Sequence, residues 1–101
     1  NPNNPDNYLL LGFIYQYNSD EKLRDLAEEA YTKAYTLQPS YALSIIQLGQ
    51  YLESTKQYDL ALSLYKVSKE QIYKDESEFN KFLSERINAT QKTIESNKEG
   101  N

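Results

Sequence analysis

The sequence predicts an all-helical protein of five helices. The 101 residues include only 3 glycines and 3 prolines, and every proline lies in the first 39 positions. Residue types that favour helices make up much of the remaining chain. Apolar residues also recur with helical spacing, in a pattern that occurs twice. This length is ordinary for one domain, so a single domain over residues 1–101 is expected.

Capping signals set the predicted helix boundaries. Asn4 is the expected N-cap of the first helix, and Pro5 lies in its first turn. Asn18 with Glu21 three residues later has the form of a capping box for the second helix. Asp75 with Glu78 is the corresponding signal for the last helix. With their caps, the helices are predicted at residues 4–17, 18–38, 39–54, 57–73 and 75–97.

Two segments share one pattern in the same register. Each has a large residue, Leu-Gly and another large residue on one helix, then Ala-x-x-x-Tyr and a small residue on the next. The marked positions are Tyr8, Leu11, Gly12, Tyr15, Ala27, Tyr31, Ala34 and Pro39 in the first copy, and Ile45, Leu48, Gly49, Leu52, Ala61, Tyr65, Ser68 and Tyr73 in the second. The step from glycine to alanine is 15 residues in the first copy and 12 in the second. The first copy therefore carries three extra residues.

This pattern resembles the tetratricopeptide repeat, a helix pair of about 34 residues. The resemblance covers about residues 2–73, and Pro39 and Tyr73 lie 34 residues apart. It implies a right-handed α-solenoid of antiparallel helix pairs, with repeats at 5–39 and 42–73 and a capping helix at 75–97. Residues 1–8 resemble a junction between two such repeats, so the chain is expected to be excised from a longer array.

The small residues of the pattern have a mechanical explanation. A glycine inside a helix costs up to about 1 kcal/mol relative to alanine, which is tolerable where another helix must approach closely. Gly12 and Gly49 are therefore expected at helix–helix contacts, with Ala27, Ala34 and Ala61 opposite them. Together with the other marked positions from Tyr8 to Tyr65, they form the predicted repeat-packing set.

Composition excludes several kinds of chemistry. Without Cys or His, the chain cannot form a disulfide, a zinc finger or a His-dependent triad. A net charge of -4 with scattered basic residues argues against nucleic acid as the partner. Neighbouring carboxylates such as Glu28 and Glu29 point in different directions on a helix. We therefore expect no enzyme activity, no cofactor and no metal.

No apolar run approaches the roughly 18 residues of a membrane span, so membrane insertion is not expected. A chain without thiols is compatible with either side of a membrane, and the compartment is left open.

The resemblance places a groove along the first helix of each pair. The residues that face it are those rotated away from the Leu-Gly stripe. They are Leu9, Leu10, Phe13, Gln16 and Tyr17 in the first helix, Leu43, Ile46, Gln47, Gln50 and Glu53 in the third, and Asn80, Lys81 and Ser84 in the fifth. An alternative for Leu9, Leu10 and Phe13 is that a preceding repeat covers them.

Some members of the family hold a carboxylate terminus with a clamp of Lys, Arg and Asn. At the matching positions of this chain only Lys81 is charged, so the clamp is not expected. We expect a non-catalytic protein–protein interaction module, a scaffold that binds a hydrophobic or amide-rich peptide or a partner helix. The alternatives are a structural element that self-associates through its repeat ends, and a regulatory arm of an enzyme encoded in the same polypeptide.

Overall fold

The computed structural model describes residues 3–75 and 77–99, and within them the chain is helical without strands. The helices are α1 (Pro5–Gln16), α2 (Glu21–Arg24), α3 (Ala27–Leu37), α4 (Ala42–Ser54), α5 (Tyr58–Val67) and α6 (Glu78–Glu99). A π-helical turn, Ser68–Ile72, follows α5 directly. The predicted all-α class is confirmed, with α2 as a single turn beside five longer helices. The chain divides into two compact units, one ending at Leu48 and the other beginning at Gly49.

The start of α1 follows its sequence signals. Asn4 is the N-cap, and its Oδ1 accepts a hydrogen bond of 3.0 Å from the Asp6 N–H. Pro5 occupies the first helical position, where its missing N–H costs no hydrogen bond. Asp6 adds a negative charge near the positive end of the helix dipole. The predicted cap and first turn of this helix are confirmed.

The second predicted helix is broken, and its predicted capping box is wrong. Asn18 Oδ1 accepts from the Asp20 N–H at 2.8 Å and closes a local turn instead. Asp20 is the true N-cap of α2, since its Oδ1 accepts from the Lys22 N–H at 2.9 Å. Arg24 Nη1 donates back to the Asn18 carbonyl at 2.9 Å. The single turn of α2 lies where the first copy of the pattern has its extra residues.

In the first unit, α1 packs against α3. The hydroxyl of Tyr31, early in α3, donates to Gln16 at the end of α1. The hydroxyl of Tyr41, just after α3, donates to Asp6 at the start of α1 over 2.6 Å. The two helices therefore run antiparallel. The buried residues of this unit are Leu9, Gly12, Ala27, Ala30, Tyr31, Ala34, Ser44, Ile45 and Leu48.

In the second unit, α5 and its π-helical turn pack against α6. Phe79 lies between Tyr73 and Phe82, with ring centroids 4.6 and 5.4 Å away. Asn80 Nδ2 donates to the carbonyl of Tyr73, which ties the start of α6 to the end of the π-helical turn. The buried residues are Gly49, Leu52, Ala61, Leu64, Tyr65, Ser68, Leu83 and Thr90.

The cap of α6 differs from the prediction. Ser77 Oγ accepts from the Asn80 N–H at 3.2 Å, so Ser77 takes the role assigned to Asp75. Ser77 stands one residue before the helix and its hydroxyl reaches the third helical N–H, which is the usual geometry of a serine N-cap. Asp75 lies three residues before the first residue of α6, too far to accept from the Asn80 N–H as an N-cap does.

The turn between α4 and α5 contains a strained residue. Lys56 has φ of 62°, a left-handed conformation in which a Cβ is unfavourable. The Gln57 N–H donates to the Leu52 carbonyl at 2.8 Å, and the Lys56 N–H donates to Glu53 at 3.0 Å. These two bonds form a Schellman motif, in which glycine is the usual residue at the left-handed position.

Replacing Lys56 with glycine is expected to stabilise the protein by roughly 0.5–1 kcal/mol, because it removes the Cβ strain of the left-handed backbone. Urea denaturation followed by circular dichroism measures the change in the free energy of unfolding. Lys56→Ala is the matched control, since it removes the same long side chain but keeps the Cβ, and it should give no comparable gain. If the glycine variant is no more stable than the alanine variant, the backbone at position 56 is not strained by a Cβ.

Candidate partner-binding surface

Helix α1 is fixed against α3 by a close approach between Gly12 and Tyr31. A Cβ placed on Gly12 would lie 2.5 Å from Tyr31 Cε1, so any other residue would force the ring away. The Tyr31 hydroxyl donates to Gln16 Oε1 at 2.7 Å, one helical turn beyond the glycine. The ring thus covers the bare backbone while its hydroxyl meets an acceptor on the same helix face.

The second unit repeats this arrangement between α4 and α5. A Cβ on Gly49 would lie 2.5 Å from Tyr65 Cε1, and the Tyr65 hydroxyl donates to Glu53 Oε2 at 2.6 Å. Arg86 of α6 adds an ion pair to the other carboxylate oxygen of Glu53. We call these two arrangements the glycine–tyrosine contacts. The second joins three helices through one carboxylate.

The electrostatics of the second glycine–tyrosine contact favour the neutral phenol. Burial raises the pKa of Tyr65 well above its ordinary value of 10.0, and the hydrogen bond to Glu53 adds to the effect, while Arg86 acts in the opposite direction. The hydrogen bond to Glu53 also raises the pKa of Arg86. The Tyr65 phenol is therefore protonated at neutral pH and serves as the donor to Glu53.

One flank of α1 exposes a continuous row of large apolar side chains. Leu10 is 61% exposed, Phe13 55%, Ile14 48% and Tyr17 70%. Their spacing of three, four and seven residues puts them on one helix face. The rings of Phe13 and Tyr17 lie 4.9 Å apart. We call these four residues the α1 apolar stripe.

The other flank of α1 borders an open cleft. Its volume is about 910 Å³, and residues of α1, of α3 and of the turn before α3 line it. Tyr8, Leu11 and Tyr15 form the α1 side, and Leu26 and Ala30 lie opposite. We call this the α1–α3 cleft. Its remaining lining residues are Asp25, Glu28, Glu29, Thr32, Lys33 and Thr36.

The prediction that Leu9 faces an open groove is wrong, because Leu9 is only 3% exposed. Leu9 lies one turn before Gly12, so the close approach to Tyr31 turns it into the core. Gln16 and Glu53, also predicted to face the groove, are half-buried and accept the tyrosine hydroxyls instead. The remaining predicted residues of α1 (Leu10, Phe13 and Tyr17) are exposed together on the α1 apolar stripe.

The predicted groove residues of α4 and α6 vary in exposure. In the first unit Leu43 is exposed, while Ile46 and Gln47 are half-buried. In the second unit Gln50 and Lys81 are exposed. Asn80 and Ser84 are half-buried and hydrogen-bonded to each other, since Ser84 Oγ donates to the Asn80 carbonyl at 3.1 Å.

Most of the predicted repeat-packing set is buried, with exceptions at one flank. Leu11 is 38% exposed, and Tyr8 and Tyr15 are half-buried, because these three side chains face the α1–α3 cleft rather than the core. Pro39 is exposed in the turn after α3. The buried members are Gly12, Ala27, Tyr31, Ala34, Ile45, Leu48, Gly49, Leu52, Ala61 and Tyr65.

Ile14 was not predicted as a surface residue. Its spacing from Leu10 and Tyr17 was visible in the sequence and could have placed it on the same face. Gln16 and Glu53 were not predicted to accept the tyrosine hydroxyls, although each stands four residues after a marked glycine. That spacing, glycine followed by a Gln or Glu one turn later, is the signal that could have found them.

Several other kinds of site are absent from residues 3–75 and 77–99. No group of three or more carboxylates converges there as a metal ion would require. Within the same ranges, none of the helices combines the length and hydropathy of a bilayer crossing. Comparisons of the chain with protein-family models, curated proteins and solved structures gave no match.

Replacing Gly49 with alanine is expected to destabilise the protein by about 1–3 kcal/mol, because the added methyl group displaces the buried Tyr65 ring. Gln50→Ala is the matched control, since it changes the next residue of the same helix at an exposed position and should change stability by less than about 0.5 kcal/mol. Chemical denaturation of both variants measures the difference. If the two variants are equally stable, the Tyr65 ring can move away from position 49 without a loss of unfolding free energy.

The raised pKa of Tyr65 predicts a loss of stability in alkali. The folded state holds the phenol proton more tightly than the unfolded chain, so this contribution is complete below about pH 10 and is lost as the pH rises further. Tyr65→Phe should therefore be less stable than wild type at neutral pH, and the difference should narrow as the pH rises above about 10. Tyr17→Phe, at an exposed position, is the control. A difference in the free energy of unfolding between wild type and Tyr65→Phe that stays constant at all pH values would refute the effect.

Proposed function

We propose that the chain is a non-catalytic protein–protein interaction module that binds an apolar segment of a partner through the α1 apolar stripe. Four large side chains exposed on one face of α1 carry this proposal. Single exposed apolar residues are common on protein surfaces, whereas a contiguous apolar row marks a contact site. Phe13 and Tyr17 are of the aromatic type that contributes most to binding energy at interfaces.

The two glycine–tyrosine contacts support a repeat architecture of the tetratricopeptide type. In each unit a tyrosine of the later helix covers a glycine of the earlier helix, and its hydroxyl binds a side chain four residues beyond that glycine. The same device at equivalent positions is expected when one helix-pair motif occurs twice. The right-handed stacking of such pairs into a solenoid stays a prediction.

The proposed surface favours a partner with apolar anchors. In the first unit, Leu43 and the half-buried Ile46 and Gln47 lie on α4 and were predicted to line the same groove as α1. The α1 apolar stripe carries no charge, so it offers little to a charged terminus. A partner helix with apolar residues at positions i, i+3 or i+4, and i+7 matches this surface. The contributions of Gln50, Asn80, Lys81 and Ser84 stay predictions.

A structural role is the second candidate, in which the apolar stripe packs against another copy of the chain. Exposed apolar area of this kind also favours self-association. Sedimentation velocity over a range of protein concentrations separates the two functions. A dimer that Phe13→Ala dissociates would support assembly, and a monomer at all concentrations would support binding of a different partner.

Phe13→Ala combined with Leu10→Ala is expected to weaken binding of peptides selected on the wild-type protein at least tenfold, since it removes two exposed apolar anchors. A displayed library of random helical peptides supplies the ligands, and fluorescence anisotropy measures the Kd for each variant. Leu60→Ala is the matched control, because Leu60 is an equally exposed leucine, at 56%, in the second unit.

Circular dichroism should show that the double variant keeps its fold, since both side chains are exposed. If the selected peptides bind the double variant and the Leu60→Ala variant with the same affinity, the α1 apolar stripe is not the binding site.

A further inference from the structure

The α1–α3 cleft has a second kind of surface chemistry, distinct from that of the α1 apolar stripe. Its floor consists of Leu11 and Ala30, and Tyr8 and Tyr15 stand on the α1 side. Leu11 is 38% exposed and Leu26 is 39% exposed. Ala30 is buried and contributes a small apolar side chain to the lining.

The charge around this cleft is uneven. Asp25, Glu28 and Glu29 lie at the end of the cleft where α3 begins, together with Leu26. Lys33 lies about one turn further along α3 and less than one turn before Thr36, so it is closer to the other end of the cleft. The three carboxylates make one end acidic, while the lysine of the lining lies toward the other end.

The shape of the cleft fits a helix better than a small molecule. The α1 side runs from Tyr8 to Tyr15, which at 1.5 Å per residue is about 10 Å. The α3 side is longer, from Asp25 to Thr36, or about 16 Å. A small-molecule site encloses most of its ligand and has a few convergent polar groups. Here the cleft is open along two helices and its charges lie on one rim.

We propose that the α1–α3 cleft docks an amphipathic helix of about three turns whose apolar face fills the floor and whose Lys or Arg residues lie at one end, against Asp25 and Glu29. The charge complementarity at the acidic end fixes the direction of the partner helix. An apolar residue near the middle of the partner packs over Leu11 and Ala30. The end of the cleft near Thr36 has no carboxylate among its lining residues, so it does not require basic partner residues.

This inference is independent of the proposed function, because the cleft and the α1 apolar stripe lie on different flanks of α1. Substitutions in one surface leave the other intact. A failure of the cleft proposal can therefore be told from a failure of the stripe proposal.

The test selects ligands with a displayed library of amphipathic helices that have leucines on one face and randomised polar positions. Selection uses the wild-type protein. Counter-selection uses the Leu11→Ser variant, in which a polar side chain replaces the larger apolar residue of the floor. Surviving sequences should be enriched in Lys and Arg at one end of the helix. Asp25→Lys combined with Glu29→Lys should weaken their binding at least tenfold, and more at low than at high salt. Phe13→Ala should leave it unchanged.

Three outcomes would overturn the proposal. Survivors without an excess of basic residues at one end would remove the charge argument. Survivors that bind the Asp25→Lys, Glu29→Lys variant as tightly as wild type would do the same. A concentration-dependent dimer that Leu11→Ser dissociates would show that another copy of the chain occupies the cleft. Both charge substitutions are at exposed positions, and thermal melting verifies that the variants remain folded.

Discussion

An aromatic ring can lie against the backbone of a helix only where no Cβ intervenes, and this constraint sets the orientation of α1. Tyr31 covers Gly12 and donates to Gln16, so two points one turn apart on α1 are fixed against a single residue of α3. Since the rotation of α1 about its axis is then determined, Leu9 must face the core. The residues of α1 on either side of Leu9 and Gly12 therefore face away from the core.

Two different surfaces follow from that orientation. One flank of α1 carries the uncharged α1 apolar stripe, and the other borders the acid-rimmed α1–α3 cleft. A helix that is apolar on all sides is normally enclosed by other protein. In the first unit, α3 packs against one face of α1, and the two flanks beside that face expose surfaces of contrasting chemistry.

Local sequence signals were sufficient for part of this structure. Asn4 and Pro5 predicted the start of α1, and the two glycines predicted where helices approach closely. Asn18 was assigned wrongly because an Asn side chain can either cap a helix or close a turn two residues later, and the adjacent residues do not separate these outcomes. Leu9 and Leu10 are identical neighbours, and only the ring of a distant tyrosine decides which is buried.

The chemistry of the two glycine–tyrosine contacts constrains how sequences of this kind can diverge. Gln16 is half-buried and is uncharged, so its exchange should have modest consequences as long as the Tyr31 ring is kept. Glu53 binds both Tyr65 and Arg86. Its loss removes the acceptor of the buried Tyr65 hydroxyl and the ion-pair partner of Arg86 at the same time. Residues coupled in this way deviate from additivity when substituted. Homologous chains should therefore change positions 53, 65 and 86 in concert, while position 16 drifts with fewer restrictions.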